Sequence, residues 1–402
     1  MTKMKNSKFK NEKFFGRGKE LSLVWEYIEN DRRSLKLAAP RRIGKTFFAT
    51  EILREAQEKG WGAIYMNLEG CKNEIAFIDK FISELKEEKW YYKVVKSLEN
   101  IKVSLALITK LGKIEGELEW MSQKANIYRK LENILVHSEN TIIVLDELTI
   151  FLGYLIKKEK DENGKITENL EDVKFFLHWL RSLRETPGSK IRWIFCSSIS
   201  IDSFIVKHAL SGTLNNVEPF KIGELRDNEP IEFVKKLLTK SKDFSLSDEL
   251  IIYMLNKLGK YKIPYFIKII FDNTYNLYKL NNLETNNDLI DNAYQEAIQT
   301  PSYFSHWIER LKDYEEDKIY AETILKKLAE VKNGKKEKQL YTLIYNENEK
   351  NIDERFKQLG KRLEDEGYII ISNNGTWAFR SPFLRDFWAK EAKVIKVSKK
   401  AR

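Results

Sequence analysis

Two short stretches of the chain contain residues whose types and spacing could do chemistry. The first runs from Ala39 to Thr46 and reads Ala-Pro-Arg-Arg-Ile-Gly-Lys-Thr, which matches the phosphate-binding pattern Gly-x-x-x-x-Gly-Lys-Ser/Thr except at its first position. Gly44 lets backbone N–H groups close around phosphate oxygens. Lys45 would contact the β and γ phosphates, and the Thr46 hydroxyl would hold Mg²⁺. We therefore predict a P-loop, with a chance Gly-Lys-Thr in a lysine-rich chain as the alternative.

The second stretch runs from Thr141 to Glu147, where an apolar run leads to an Asp-Glu pair. In P-loop folds a buried strand of this kind ends in a carboxylate that serves the metal. The alternative is an Asp-Glu pair that only caps a buried strand. Because a P-loop pattern lies upstream, the residues favour phosphate and metal chemistry.

Four apolar stretches predict the strands that position these residues. They lie at about 36–38, 63–68, 141–147 and 190–198, and helical patterns lie between them. A helix that starts before the P-loop has Leu21, Trp25 and Ile28 on one face, and the helix after Thr46 ends at Gly60. Strands that alternate with helices build a parallel α/β sheet.

Three regions depart from this alternation. Residues 74–140 are helical except for 101–119, where apolar residues on both sides of Gly112 predict an inserted hairpin. Residues 157–171 are densely charged around an Asn-Gly and predict a mobile loop. Beyond about residue 215 the pattern predicts helices only until near the C-terminus.

The C-terminal pattern is typical of a winged helix. A helix from about 317 is followed by helices at 337–345 and 352–366 and by two strands around an Asn-Gly turn. In DNA-binding examples the third helix enters the major groove, and here it carries Arg355, Lys357, Lys361 and Arg362. Acidic residues share that helix, so it is not a uniformly basic stripe.

Length and composition allow several domains and exclude some classes of protein. A chain of 402 residues is long enough for two or three cores. We predict an ATPase-like core at 1–215, a helical lid at 216–316, a winged helix at 317–390 and a basic tail at 391–402. The 70 Lys+Arg against 60 Asp+Glu give +10, which permits nucleic acid as a partner. Two cysteines are too few for a disulfide framework. No apolar run is as long as a membrane-spanning helix requires. We therefore expect a cytoplasmic protein.

Four stretches carry a family resemblance, at 15–21 (Phe-Gly-Arg-Gly-Lys-Glu-Leu), 40–46, 144–148 (Val-Leu-Asp-Glu-Leu) and 379–388 (Phe-Arg-Ser-Pro-Phe-Leu-Arg-Asp-Phe-Trp). With these motifs in order over nearly the whole chain, it resembles the archaeal and bacterial STAND-type ATPases of the AAA+ and ORC-like branch, often called the archaeal ATPase family. It departs at Ala39, where the family usually has glycine, and at Ser197, where a glycine commonly precedes the serine. The alanine at position 39 predicts that this turn position needs no left-handed backbone. The alternative is that the chain binds nucleotide more weakly than family members that have glycine there.

The resemblance implies ATP or ADP and Mg²⁺ as cofactors. It makes Thr46 and Asp146 the metal residues, Lys45 a catalytic residue, and Glu147 the base that orients the attacking water. Ser198 resembles the polar sensor of the γ phosphate, with satisfaction of backbone groups as the alternative. The implied nucleotide contacts are Phe15, Gly16, Arg17, Pro40, Arg41, Arg42, Ile43, Gly44, Lys45, Thr46, Phe47 and Pro264. A plain turn before a helix at 15–17 and a proline that opens a helix at 264 are the alternatives.

Two functional hypotheses follow from the resemblance. The first is an ATP-binding, slowly hydrolysing switch that controls a protein partner through its winged helix. The second is a DNA-binding ATPase of the initiator or mobile-element kind, and a scaffold that holds ADP permanently is a third reading. A homo-oligomer is also possible. AAA+ relatives place an arginine that completes a neighbour's site on the helix before the sensor strand, where this chain has Arg181 and Arg184. The alternative is that these arginines are solvated or salt-bridged.

Overall fold

The computed structural model describes residues 8–9, 14–31, 33–40, 42–160, 162, 164, 166–197, 200–241, 243–281, 283–345 and 351–400, with side chains up to residue 391. The chain forms two compact units. The first contains residues 1–38 and 45–222, and the second contains residues 39–44 and 223–402. Of the helices in the described ranges, none combines the length and the apolar character needed to cross a membrane.

The first unit alternates strands and helices. Its strands are β1 (Leu35–Ala38), β2 (Gly62–Asn67), β3 (Thr141–Asp146), β4 (Lys157–Lys160), β5 (Ile166–Asn169), β6 (Ile191–Cys196) and β7 (Glu218–Lys221). Its helices are α1 (Gly18–Glu29), α2 (Lys45–Glu58), α3 (Glu74–Leu85), α4 (Val95–Lys110), α5 (Lys113–Val136), α6 (Leu148–Leu155), α7 (Glu171–Glu185) and α8 (Ile201–Lys207).

A parallel sheet of five strands forms the centre of this unit, in the order β2-β3-β6-β1-β7. Every residue of β3 and of β6 is buried, as expected for central parallel strands covered by helices on both faces. The carboxyl ends of parallel strands lie at one edge of a sheet, so the end of β1, which leads into α2, lies at the same edge as Asp146. The predicted parallel α/β core is confirmed.

Beyond about residue 215 the sequence predicted only helices, and the fifth strand of the sheet shows that this prediction was wrong. Strand β7 pairs with β1, with Lys36 opposite Pro219. It has only four residues, of which Phe220 alone is buried, so it gives neither an apolar run nor a clear alternation. A proline is tolerated because β7 is at the edge of the sheet.

The predicted hairpin at 101–119 is wrong, because this stretch belongs to helices α4 and α5. Ile101, Leu105 and Ile108 are buried, at the spacing of one helical face. The strand prediction came from including Val103 and Ile114 in the pattern, and both of these side chains are exposed.

The predicted loop at 157–171 is also wrong in part. Residues 157–160 and 166–169 pair as the antiparallel strands β4 and β5. Nearly every residue of the two strands is exposed, so there is no alternation of apolar and polar residues from which a strand could be predicted.

The second unit is mainly helical. Its elements are α9 (Glu229–Leu238), α10 (Asp248–Asn256), α11 (Pro264–Asn281), α12 (Asn287–Ala297), α13 (Ser305–Arg310), α14 (Lys318–Ala329), β8 (Lys335–Lys336), α15 (Glu337–Ile344), α16 (Ile352–Asp365), β9 (Ile369–Ile371), β10 (Thr376–Phe379) and α17 (Pro382–Lys400). Strands β8, β10 and β9 form a small antiparallel sheet in that order. The helices and the hairpin predicted from residue 317 are present, and β8 is an addition.

The predicted basic tail from residue 391 continues helix α17 as far as Lys400. No glycine or proline follows Pro382, so nothing in the sequence ends the helix there.

A ring stack fixes the centre of the C-terminal helices and sheet. Phe356 of α16 stacks on Trp377 of β10, with ring centroids 4.8 Å apart, and Trp377 is buried. Helix α16 approaches the same indole at Gly360, where an added Cβ would lie 2.3 Å from Trp377 Cη2. Glycine is therefore required at 360 for lack of space.

Gly360→Ala is expected to lower the free energy of unfolding by about 1–3 kcal/mol, because the new methyl group overlaps a buried ring. Gly153→Ala in α6 is the matched control, since a Cβ there meets nothing within 4 Å, and it is expected to be neutral or stabilising by up to about 1 kcal/mol. Thermal melting of both variants measures the difference. Equal shifts in melting temperature would contradict the proposed overlap.

Candidate functional site

The turn between β1 and α2 has the backbone that a P-loop needs. Gly44 has φ +101°, which L side chains rarely adopt, and α2 begins at the next residue, Lys45. Ala39 lies outside the residues with positive φ, which confirms that this position needs no left-handed backbone. Arg42 does adopt a positive φ of 61°.

Residues 39–44 belong to the second unit and contact other residues of that unit. The Arg42 guanidinium lies 4.7 Å from the ring centroid of Tyr265, within the range of a cation–π interaction. Pro40 packs against Gly367 so closely that a Cβ at residue 367 would lie 2.6 Å from the Pro40 Cβ. Gly367 also has φ +86°, so both space and backbone require glycine there.

Asp146 is the centre of a hydrogen-bond cluster in the first unit. Its Oδ2 accepts hydrogen bonds from Thr46 Oγ1 at 2.9 Å and from the Tyr65 hydroxyl at 2.8 Å. Its Oδ1 accepts a hydrogen bond from the Glu147 N–H at 3.0 Å. The two predicted metal residues, Thr46 and Asp146, are therefore adjacent.

Tyr65 was not predicted to be part of this site. It lies on β2, next to β3 in the sheet, and burial, followed by the charge of Asp146, raises the pKa of its hydroxyl well above the usual value. Tyr65 therefore stays protonated at neutral pH and acts as a donor to Asp146. The sequence places a tyrosine near the end of a predicted strand, but it does not show which strands are neighbours.

Glu147 has a strained backbone and a hydroxyl next to its carboxylate. Its φ of 57° and ψ of 36° are left-handed, which costs about 1–3 kcal/mol for a non-glycine residue and is frequent at functional sites. The Ser197 hydroxyl lies 3.5 Å from Glu147 Oε2, and it also hydrogen-bonds the Thr149 hydroxyl. Ser197 and Thr149 thus join the site, whereas the predicted Ser198 lies outside the described residues.

The remaining predicted nucleotide contacts vary in accessibility. Gly16 and Arg17 both have left-handed φ, of 68° and 65°, and form the turn before α1, while the Arg17 side chain is buried. Ile43 is fully buried. Phe15 and Lys45 are half-buried, Phe47 is exposed, and Pro264 is the first residue of α11, as the alternative predicted. Arg41 lies outside the described residues.

Both candidate arginines on α7 are bound to their own chain. Arg181 ion-pairs with Glu185 at 2.8 Å and donates to the carbonyl oxygen of Gly212 at 2.7 Å. Arg184 donates to the carbonyl oxygen of Thr213 at 2.7 Å, and burial lowers the pKa of its guanidinium to about 10. These contacts hold the turn after α8, so the structure gives no support to a role in a neighbour's site.

The four predicted DNA-contacting cations on α16 fall into two pairs. Arg355 ion-pairs with Asp317, and Arg362 lies 3.8 Å from the Tyr314 ring centroid and pairs with Glu366. Lys357 and Lys361 are exposed. The two arginines thus hold α16 to the rest of the second unit, and only the two lysines are presented to solvent.

An open groove of about 920 Å³ lies between α15, α16 and the β9–β10 turn. Lys336, Lys338 and Lys357 line it, together with Tyr341 and Asn374. Glu337 and Asp353 also line it, so its charge is mixed with a small positive excess.

No protein-family model and no curated protein sequence matches the chain. Solved structures are similar to it. A Walker-type ATPase of Pyrococcus abyssi has a TM-score of 0.61 at 16% identity, over 95% of this chain and 98% of that one. Cdc6p from Pyrobaculum aerophilum has a TM-score of 0.44 at 12% identity, over 94% of each chain. The Aeropyrum pernix ORC1 protein, solved in complex with DNA, has a TM-score of 0.40 at 13% identity, over 96% of this chain and 94% of that one.

The first of these similarities covers nearly the whole of both chains and concerns the fold. Together with the parallel sheet and the turn at Gly44, it shows that the chain has the fold of this Walker-type ATPase.

Tyr65→Phe is expected to lower the free energy of unfolding of the first unit by about 1 kcal/mol, because Asp146 loses one of its three donors. Tyr92→Phe is the control, since Tyr92 is 71% exposed, and it should change nothing. Urea titration followed by tryptophan fluorescence measures both. If the two variants unfold at the same urea concentration, the hydrogen bond to Asp146 does not contribute to stability.

Proposed function

We propose that the protein binds ATP with Mg²⁺ and hydrolyses it slowly. The observation that carries this proposal is the hydrogen bond of 2.9 Å between Thr46 Oγ1 and Asp146 Oδ2, directly after a turn with P-loop backbone. Within the described residues, no group of three or more His, Cys, Asp or Glu could hold a metal alone. A hydroxyl and one carboxylate suit Mg²⁺, which takes its other ligands from phosphates and water.

The site residues then have separate roles. Lys45 neutralises the β and γ phosphates, and Thr46 and Asp146 hold the Mg²⁺, which supplies further charge neutralisation. Tyr65 fixes the orientation of the Asp146 carboxylate. Glu147 orients the attacking water, and the Ser197 hydroxyl at 3.5 Å from its Oε2 competes with that water. Slow hydrolysis is therefore expected.

The contacts of the turn at 39–44 support a switch controlled by nucleotide. Arg42 lies on Tyr265 and Pro40 packs against Gly367, so movement of the turn on phosphate binding would disturb both contacts. Tyr265 lies in α11, and Gly367 lies two residues before β9 of the small antiparallel sheet. We infer that nucleotide state is transmitted through these contacts to the C-terminal helices and sheet, which form a winged helix and regulate a partner, as in STAND-type ATPases.

Lys45→Ala and Glu147→Gln are expected to separate binding from hydrolysis. Lys45→Ala should lower the affinity for ATP by at least about 100-fold, because the positive charge that contacts the phosphates is removed. Glu147→Gln should keep ATP affinity but lower turnover by about 100-fold or more, because the group that orients water is lost. Titration with fluorescent ATP and phosphate release measure the two effects. Unchanged ATP affinity in Lys45→Ala would overturn the proposed site.

Duplex DNA is a second candidate ligand, for the C-terminal part of the second unit. Lys357 and Lys361 lie one helical turn apart on α16 and are exposed, and Lys336 and Lys338 line the neighbouring groove. These lysines would contact phosphates, which gives affinity without sequence specificity. The acidic residues on the same helix favour weak binding.

Replacing Lys357 and Lys361 by alanine is expected to weaken duplex binding and to reduce the slope of log K against log[salt] by about 1.8, because two phosphate contacts are lost. Lys326 and Lys327 on α14, replaced by alanine together, are the control with the same change of net charge. Fluorescence anisotropy with a labelled duplex at several salt concentrations measures both slopes. An equal loss in the control would show only a general charge effect and exclude α16 as the DNA surface.

A further inference from the structure

The two oxygens of the Asp146 carboxylate accept different numbers of hydrogen bonds. Oδ2 accepts from two hydroxyls, those of Thr46 at 2.9 Å and Tyr65 at 2.8 Å. Oδ1 accepts from the N–H of Glu147 at 3.0 Å and has no second donor among the described residues. An ionised carboxylate has about four lone-pair sites, about two on each oxygen. Oδ2 is therefore saturated, whereas Oδ1 keeps a lone pair for a further ligand.

The two hydroxyls that saturate Oδ2 differ in what else they can do. Thr46 is exposed at the start of α2, and after it has donated its proton to Asp146 its oxygen still has lone pairs for a metal. Tyr65 lies on β2, two residues before Asn67, which is opposite Asp146 in the sheet. A phenol keeps its proton at neutral pH, so Tyr65 supplies the second proton on Oδ2. Tyr65 is thus the residue that completes the saturation of this oxygen.

Saturation of Oδ2 restricts how a divalent cation can use the Asp146 carboxylate. Ca²⁺ takes about six to eight oxygen ligands and often binds both oxygens of one carboxylate, whereas Mg²⁺ demands octahedral geometry and keeps several of its waters. Binding through both oxygens requires a free lone pair on each, and Oδ2 has none. A metal-bound water that donates to Oδ1 requires only one, which Oδ1 has. The hydrogen-bond pattern therefore favours Mg²⁺ over Ca²⁺.

We propose that Tyr65 is a specificity-determining residue that makes this site select Mg²⁺ over Ca²⁺. It is a positioning residue, because it acts through Asp146 and does not itself hold the metal. Without the phenol hydroxyl, Oδ2 gains a free lone pair, both carboxylate oxygens become available, and the preference for Mg²⁺ decreases. The inference rests on the proposed function, since it concerns the cation that accompanies ATP, and it assigns the choice of cation to a residue outside both sequence motifs.

The affinity for a fluorescent ATP analogue, measured at saturating Mg²⁺ and at saturating Ca²⁺, tests the proposal on the full chain. The wild type should bind the analogue more tightly with Mg²⁺. In Tyr65→Phe the ratio of the two affinities should fall by about threefold to tenfold, the range to which one hydrogen bond corresponds. Tyr92→Phe is the matched control, because Tyr92 is 71% exposed, and its ratio should equal that of the wild type. Circular dichroism verifies that both variants are folded.

A second measurement reports the metal's ligands without relying on affinity. With Mn²⁺ in place of Mg²⁺, pulsed electron paramagnetic resonance in isotopically labelled water shows how many water ligands the metal keeps. Tyr65→Phe should keep fewer waters than the wild type, because the freed carboxylate oxygen replaces water. Tyr92→Phe should keep the same number as the wild type.

The outcomes separate this inference from the ATPase assignment. If Tyr65→Phe weakens binding equally with both metals and keeps the same waters, Tyr65 only stabilises the fold and the proposal is overturned. A wild type that binds the analogue equally well with Mg²⁺ and Ca²⁺ would also overturn it, while the ATPase assignment would stand. A wild type that binds the analogue with neither metal would overturn both.

Discussion

The candidate site of the first unit depends on the hydrogen bonds that converge on one carboxylate. Asp146 at the end of β3 accepts from Thr46 at the start of α2, from Tyr65 on β2 and from the backbone of Glu147. Three elements far apart in sequence are therefore held in register at one edge of the sheet. Because the carboxylate is buried, each donor offsets part of the cost of removing its charge from water.

Two residues of the predicted site have a strained backbone. Glu147 and Arg42 both adopt left-handed conformations, which are unfavourable for residues with side chains. Such conformations persist only when surrounding contacts fix them. Glu147 is fixed by the start of α6 and by the hydrogen bond from its N–H to Asp146, and Arg42 lies on the ring of Tyr265. Left-handed backbone of this kind is frequent at functional sites.

The sequence predicts those parts of the fold that have long or periodic patterns. The strands that end near Ala38 and at Asp146 were found because apolar runs lead into residues of distinct chemistry. Strand β7 and the β4–β5 pair were missed, since four-residue strands with mostly exposed side chains leave no periodicity to detect. The hairpin error at 101–119 arose because exposed apolar residues such as Val103 and Ile114 hid the helical period of the buried ones. Tyr65 and Ser197 could not be assigned, because their roles depend on the order of strands in the sheet.

Strand β7 has a further consequence for how copies of this protein can associate. It lies at one edge of the central sheet, where Pro219 offers no N–H and Glu218 and Lys221 carry charge. An incoming strand would find a missing donor and charged neighbours in a segment of only four residues, which disfavours extension of the sheet from one molecule into the next. This edge of the sheet is thereby protected against strand addition and the aggregation that can follow from it.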